Sequence, residues 1–380
     1  MRLHVDQRHE RVLELVRERG SLRVAELAEE LGMSAVTLRR DVEALAAQGL
    51  VERLHGAVVW PTGQSRPAPA PAAAPPAEGL VVGMVVPTTE YYYADVVRGA
   101  RQTVEAAGAR LTIGLSRYLP DEDAAQARRL LSTGADGLLL TPSWERGCPE
   151  RGEGLWAVEQ EVPVVLVERS APLGHPAAGL DRVRSDHAHG AAEAVAHLAG
   201  LGHRAIALAV QDSPTAPRLR VGYRAAVEAL GLTPVSAAPL DDAPSRSEAK
   251  RFERTLEYLC EAVASGNVTA AIVHSDADAI VLIPRLQARG VRVPEDLAVI
   301  AYDDEVAGLA DLPLTAVAPD KHAVGVAAAR LLLDRLGVTE PGAGDPRAGE
   351  TGRSSAARRH LDILPSLRIR VSCGAVAAAP

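Results

Sequence analysis

The stretch Ser34-Ala-Val-Thr-Leu-Arg-Arg sets two adjacent guanidiniums, Arg39 and Arg40, shortly after two hydroxyl side chains, Ser34 and Thr37. Arginine can bridge guanine O6 and N7 with two hydrogen bonds or grip phosphate, and hydroxyls near a helix start can reach phosphates or base edges. This combination suits a helix laid in a DNA groove. Elsewhere the residues that could do chemistry fail to assemble into a catalyst. Asp303 and Asp304 are adjacent acids, but neighbours at an extended strand end point to opposite sides, so joint hydrolysis is not expected. His187 and His189, with His197 and His203 beyond, lack a nearby acidic or cysteine partner, so no metal is expected. They read as a solvated helix entry, with His203 structural. No Gly-rich phosphate loop, HExxH or GxSxG occurs, so neither a catalytic residue nor a cofactor is expected.

The elements that would carry the basic residues are short helices. Residues 8–20 place Val12, Leu13 and Val16 on one face, and Val24, Leu27, Ala28 and Leu31 follow at helical spacing. Gly32 breaks the chain and Ser34 is a good N-cap for a third helix. In that helix Leu38, Val42 and Leu45 face inward while Thr37, Arg39 and Arg40 lie on the opposite arc. Two helices joined by a tight turn, the second bearing arginines, make a helix-turn-helix. A helical dimerisation module with solvated arginines has the same spacing. After Gly49, LVERL-HG-AVV reads as a hairpin.

From Pro61 to Glu78 the chain reads PTGQSRPAPAPAAAPPAE, a semi-extended linker without apolar periodicity. Beyond it nearly continuous apolar runs alternate with amphipathic helices. Strands are predicted at Leu80–Val86, Arg110–Leu115, Gly137–Thr141, Pro163–Val167, Gly179–Arg184, Ala205–Ala209, Ala270–His274, Leu297–Ala301 and Leu314–Ala318. Such alternation means parallel α/β sheets covered on both faces, with ligands at the carboxyl ends of strands. Asp276 would sit at one such end, in a binding or a structural role. The stretch Glu340–Ala357 reads as a loop before a last apolar segment, Leu361–Val371.

The 380 residues allow two or three domains. The net charge of −8 argues against coating nucleic acid with the whole surface, though not against a local basic patch. Three cysteines, Cys148, Cys260 and Cys373, have no paired spacing and fit a reducing cytoplasm. The first twenty residues hold no continuous apolar core, so no signal peptide or membrane anchor is expected.

The run GSLRVAELAEELGMSAVTLRRDVEALAAQGLVERLHGAVV closely resembles the winged helix-turn-helix of DeoR-type bacterial regulators. The matching positions are Ser34, Thr37, Arg39, Arg40, Asp41, Gly49, Leu50, Arg53, His55 and Gly56. Ala57 stands where that family usually has a second glycine. The resemblance implies DNA contacts from Ser34, Thr37, Arg39, Arg40, Arg53 and His55.

The remainder resembles the effector domain of LacI/GalR-type repressors and, more distantly, exported sugar-binding proteins. The runs that carry it include GMVVPTTEYYYADVVRGA, VPVVLVERS, RLRVGYRAAVEALG and, most specifically, GVRVPEDLAVIAYDD followed by LPLTAV. The resemblance places Tyr92 and Tyr93 at the cleft, where aromatic faces suit stacking on a sugar ring. Helix-start packing is the other reading of that run. It assigns Asp303 to ligand hydroxyls and makes Glu168 and Arg169 further cleft candidates. The family's cleft arginine lies three residues before a Gly-aromatic pair, but Leu219 holds that position before Gly222-Tyr223. Arg220 is favoured and Arg218 is the alternate.

Together these readings give a multidomain chain: a small all-α/winged-helix DNA-binding head over 1–60, a linker over 61–78, and a two-lobed α/β, periplasmic binding protein-like type I body over 79–374 with parallel sheets. The lobes are expected at 79–184 plus 319–338, and at 185–318 plus 359–374. The expectation is a cytoplasmic homodimeric repressor whose affinity for double-stranded operator DNA answers to a mono- or oligosaccharide effector, with no membrane partner. A sugar-binding protein serving transport, without DNA regulation, is the alternative. A Pro/Ala linker does not readily form the hinge helix usual in LacI/GalR-type repressors.

Overall fold

The computed structural model describes residues 79–144, 147–150, 152–235, 248–338 and 357–375, and in the N-terminal part 11–12, 15–16, 21–23, 27–28, 30–31, 38, 42, 45–46, 52–54 and 57–59. The chain divides into two units, Met1–Ala72 and Ala73–Pro380. The division falls within the Pro/Ala-rich segment 61–78, which lies outside the described residues.

In the first unit Val12 with Val16, Leu27 with Ala28, and Leu38, Val42 and Leu45 are helical and buried together in one cluster. One-turn spacing puts Val12 with Val16, and Leu38 with Val42 and Leu45, on single faces, and burying those faces is what holds so small a unit together. Leu13 and Val24 lie outside the described residues. The expected hairpin forms as β2 (Glu52–Leu54) and β3 (Ala57–Val59), with Leu54 opposite Ala57. A third strand, β1 (Ser21–Arg23), pairs antiparallel with β3 and gives the order β1-β3-β2. Three residues are too few to show a period of two, so β1 carries no sequence signal. Its Leu22 joins Val58 against the helical core.

The second unit holds two sheets. The first has the order β13-β8-β7-β6-β4-β5 and is parallel throughout. Its strands are β4 (Val81–Val86), β5 (Arg110–Leu115), β6 (Gly137–Leu140), β7 (Val164–Val167), β8 (Asp181–Ser185) and β13 (His360–Ile363). The other has the order β14-β12-β11-β10-β9, in which β9 (Ile206–Val210), β10 (Ala270–His274), β11 (Ala298–Tyr302) and β12 (Thr315–Ala318) are parallel and β14 (Ser366–Arg368) is antiparallel. The strands VVLV, AVIAY and IALAV are buried along their whole length, as sheets covered on both faces require.

The helices are α1 (Tyr92–Ala106), α2 (Pro120–Ser132), α3 (His187–Gly200), α4 (Ala216–Ala229), α5 (Glu248–Ala264), α6 (Asp276–Ala288) and α7 (Lys321–Arg335). Among the described residues the chain changes lobe at three points: from β8 into α3, from β12 into α7, and from β13 to β14. The last crossing corrects the expectation that 359–374 lies wholly in the second lobe. Leu361 pairs with Val183 in the first sheet before Leu367 pairs with Val317 in the second. His360, Leu361 and Asp362 are exposed, so β13 has no apolar pattern that announces which sheet edge it joins.

Buried Asp181 fastens that return. It accepts Arg335 Nε at 2.7 Å, the Arg359 amide at 2.7 Å and Arg358 Nη1 at 3.1 Å. Burial alone would raise its pKa, but these hydrogen bonds and the Arg335 charge hold the carboxyl below its ordinary value.

Helix pairs approach closely through glycine. A Cβ on Gly325 of α7 would lie 2.0 Å from Val96 O of α1, and one on Gly222 of α4 would lie 1.8 Å from Ala188 O of α3. Backbone cannot yield as a flexible side chain does. Gly222→Ala and Gly325→Ala are therefore expected to cost at least about 1–3 kcal/mol each. Gly200→Ala, with nothing within 4 Å, should be neutral or slightly stabilising. Urea unfolding of the three variants checks this contrast.

Candidate ligand cleft

Of the residues expected on DNA, Ser34, Thr37, Arg39, Arg40 and His55 lie outside the described residues. Arg53 lies in the middle of β2, and its side chain is likewise outside them.

The expected ligand residues gather where strands of both sheets end. Glu168 directly follows β7, with its side chain 3 % exposed. Its Oε1 accepts the Tyr92 hydroxyl at 2.8 Å and the Ser185 hydroxyl at 2.9 Å, and its Oε2 accepts the Ser185 amide at 3.0 Å. Burial raises its pKa against these hydrogen bonds. Arg169 donates through Nε to Pro142 O at 2.7 Å and through Nη1 to the Tyr93 hydroxyl at 3.2 Å and Glu168 O at 2.9 Å. Its Nη2 is buried with no partner among the described residues. Tyr93 itself packs in the first-lobe core. Tyr91, which sequence reasoning passed over, is the half-exposed member of the run and donates its hydroxyl to Asp276 Oδ1 of the second lobe.

Asp276 is fully buried and also accepts the Val306 and Ala307 amides at 2.7 and 2.9 Å, which commits it to holding that turn. Asp303 directly follows β11; its carboxylate lies 3.6 Å from His274 Nε2, and its carbonyl accepts the Lys321 ammonium. Burial pushes the Asp303 carboxyl up to about 7 and the His274 imidazole down to about 4. Asp304 turns away to Arg370, with 2.6 Å between Oδ1 and Nη1. Leu219 is buried in the second core, and the two flanking arginines diverge. Arg218 donates to Ser170 Oγ of the first lobe at 2.7 Å, while Arg220 lies 3.7 Å from exposed Asp212. The alternate, Arg218, is thus the one that bridges the lobes.

Tyr91, Glu168 and Asp303 all have positive φ, of 51°, 56° and 89°. Non-glycine residues there cost on the order of 1 kcal/mol each, and such strain gathers where side chains must be aimed.

His187 is a correction. Expected to be solvated, it is buried between Tyr92 and Tyr302, with Nδ1 3.2 Å from the Tyr302 hydroxyl and Nε2 3.7 Å from Glu168 Oε2. It is the first residue of α3, and a chain crossing between lobes buries what helix periodicity would leave outside. No signal in the sequence marks it. Burial lowers its pKa to about 3, helped by His274, Arg184, Arg169 and Arg218. Among the described residues no group of three His, Cys, Asp or Glu could hold a metal ion.

The pH behaviour follows with opposite signs. His187 is neutral when folded, so its contribution is complete above its ordinary value of 6.5 and is lost as pH falls toward 3. Asp303 favours the protonated form when folded, so its contribution is complete below 3.8 and is lost as pH rises through 7. Between pH 7 and pH 5, His187→Gln should lose about 2 kcal/mol less stability than the parent, and Asp303→Asn about 2 kcal/mol more. Urea midpoints at the two pH values test both signs.

Comparison with known proteins fits this arrangement. Residues 8–64 match the model of the DeoR-like helix-turn-helix domain, and residues 195–373 that of the periplasmic binding protein-like domain. The arabinose metabolism transcriptional repressor of Geobacillus stearothermophilus is 25% identical over 316 residues, 82% of this chain and 83% of that protein. The HTH-type transcriptional regulator CelR of Thermobifida fusca is 29% identical over 258 residues, 66% of this chain and 72% of that protein. A solved transcriptional regulator CelR–cellobiose complex superposes with a TM-score of 0.60 at 25% identity, covering 90% of this chain and 91% of that one. Among the described residues no helix is long and apolar enough to cross a membrane. The chain joins a DeoR-like helix-turn-helix domain to a periplasmic binding protein-like domain of parallel sheets, and it is a DNA-binding transcription regulator.

Proposed function

We propose that the protein is a cytoplasmic repressor whose two-lobed domain binds a sugar-type effector and thereby controls the grip of the helix-turn-helix domain on operator DNA. The observation that carries this reading is the convergence of Tyr91, Glu168, Asp276, Asp303 and Arg218 on a junction that two side-chain contacts span, Tyr91–Asp276 and Arg218–Ser170. Donors and acceptors placed between two lobes are what a polyhydroxylated ligand needs, and contacts it replaces or tightens change the lobe equilibrium. Relatives named for arabinose metabolism and solved with cellobiose support a saccharide. The residues we assign to it are Tyr92, Glu168, Arg169, Arg218 and Asp303, with Tyr93, Asp276 and Arg220 in supporting positions. Ser34, Thr37, Arg39, Arg40, Arg53 and His55 are assigned to DNA.

A homodimer would place two heads on a palindromic operator. Effector binding releases DNA in this scheme, with a coupling of about 1–3 kcal/mol, or about 5–150-fold in affinity. The domain acts by binding rather than by turnover of the bound saccharide.

Fluorescence anisotropy on DNA from the region upstream of the gene, with and without arabinose, cellobiose and other saccharides, tests the scheme. One saccharide should weaken salt-sensitive specific binding. Arg40→Ala should abolish operator binding and leave saccharide affinity intact. Loss of both in that variant, or no specific DNA binding by the parent, would overturn the scheme.

A further inference from the structure

Three guanidiniums crowd the lobe junction beside the cleft. Arg182 and Arg184 stand two residues apart on β8 and so share a face, and Arg218 arrives from α4 of the other lobe. Arg184 Nη1 and Arg218 Nη2 both donate to one hydroxyl, Ser170 Oγ, at 3.2 and 2.7 Å. A hydroxyl supplies no counter-charge. Asp362 is the carboxylate in contact, and it is shared between Arg184 at 2.6 Å and Arg182 at 3.4 Å. Among the described residues Arg218 forms no ion pair.

The crowding has a cost. After burial itself, Arg184 is the largest cause of the lowered pKa of both Arg182 and Arg218, and the Asp362 carboxylate opposes it at each. Among the described residues two guanidinium nitrogens in this region, Arg182 Nε and Arg169 Nη2, are buried with no hydrogen-bond partner, and Arg169 as a whole is only 3 % exposed. Unsatisfied buried donors are rare in folded proteins, because each forfeits its hydration without return. The region adjoins the cleft, since Ser170 lies two residues after Glu168 and Arg184 directly precedes Ser185, which hydrogen-bonds the Glu168 carboxylate.

We propose that Ser170, Arg184 and Arg218, backed by Arg182 and Arg169, seat an anionic group of the effector, which makes the effector a phosphorylated or acidic sugar rather than a neutral one. This rests on the reading of the cleft as the effector site. A phosphate or carboxylate supplies the missing charge and accepts from the planar guanidinium forks in pairs, and the Ser170 hydroxyl can turn to donate. Because Arg184 comes from the first lobe and Arg218 from the second, the anion also draws the lobes together.

Calorimetric titration of the full-length protein tests this with arabinose, glucose and cellobiose, the phosphorylated form of each, glucuronate, and inorganic phosphate alone. A phosphorylated or acidic form should bind at least about 10-fold more tightly than its neutral parent, weaken with salt, and be displaced by inorganic phosphate. Arg218→Gln and Arg184→Gln should each lower that affinity about 10- to 100-fold, and Arg184→Lys, which keeps charge but loses the fork, by less. Preference for glucuronate identifies a carboxylate, and preference for a phosphorylated sugar identifies a phosphate. Circular dichroism establishes that the variants are folded. If a neutral sugar binds as tightly as its charged form, and Arg218→Gln weakens both equally, the cluster is a lobe latch and the proposal fails while the effector cleft stands. If none of the probes binds, inorganic phosphate included, the effector reading itself fails.

Discussion

A carboxylate buried where strands end must find its hydrogen bonds there, and Glu168 finds them on two other pieces of chain. Tyr92 at the start of α1 and Ser185 at the end of β8 close around it, so one acid ties β4, β7 and β8 together at their carboxyl ends. Removing any one donor would leave a charge or polar group stranded, a loss worth about 1–3 kcal/mol or more. The first lobe's half of the cleft takes its shape from that requirement.

The second lobe answers with a parallel device. Asp276 holds the turn at Val306–Ala307 and takes the Tyr91 hydroxyl from across the junction, while Asp303 stands by His274 with Lys321 on its carbonyl. Ser185 and Lys321 flank two of the three lobe crossings, so the residues that carry the chain between lobes also wall the cleft. Binding and lobe geometry are thereby one mechanical problem. A ligand that alters these hydrogen bonds acts directly on the segments about which the lobes turn.

The buried titratable groups of the junction pull in different directions. Burial favours neutral His187 and His274 and raises the Asp303 carboxyl to about 7, so the cleft carries less charge than its composition suggests. Its cationic side chains are Arg169 and Lys321 within it and Arg182, Arg184 and Arg218 beside it.

The sequence by itself determined the elements. Apolar runs too continuous for half-exposed strands required parallel sheets, and each of the nine predicted body strands is present within two residues of its bounds. Helical spacing likewise placed Leu38, Val42 and Leu45 inward, and the matched families agree with the motifs that carried the resemblance. Periodicity reports only which side of an element is covered by its own neighbours. It is silent where two lobes meet, and there the tertiary structure decided: Tyr91 rather than Tyr93 reaches across, Arg218 rather than Arg220 bridges, His187 is buried, and the chain's last segment is divided between the two sheets. Each outcome depends on residues far apart in the chain coming within hydrogen-bond reach, a distance that no local pattern encodes.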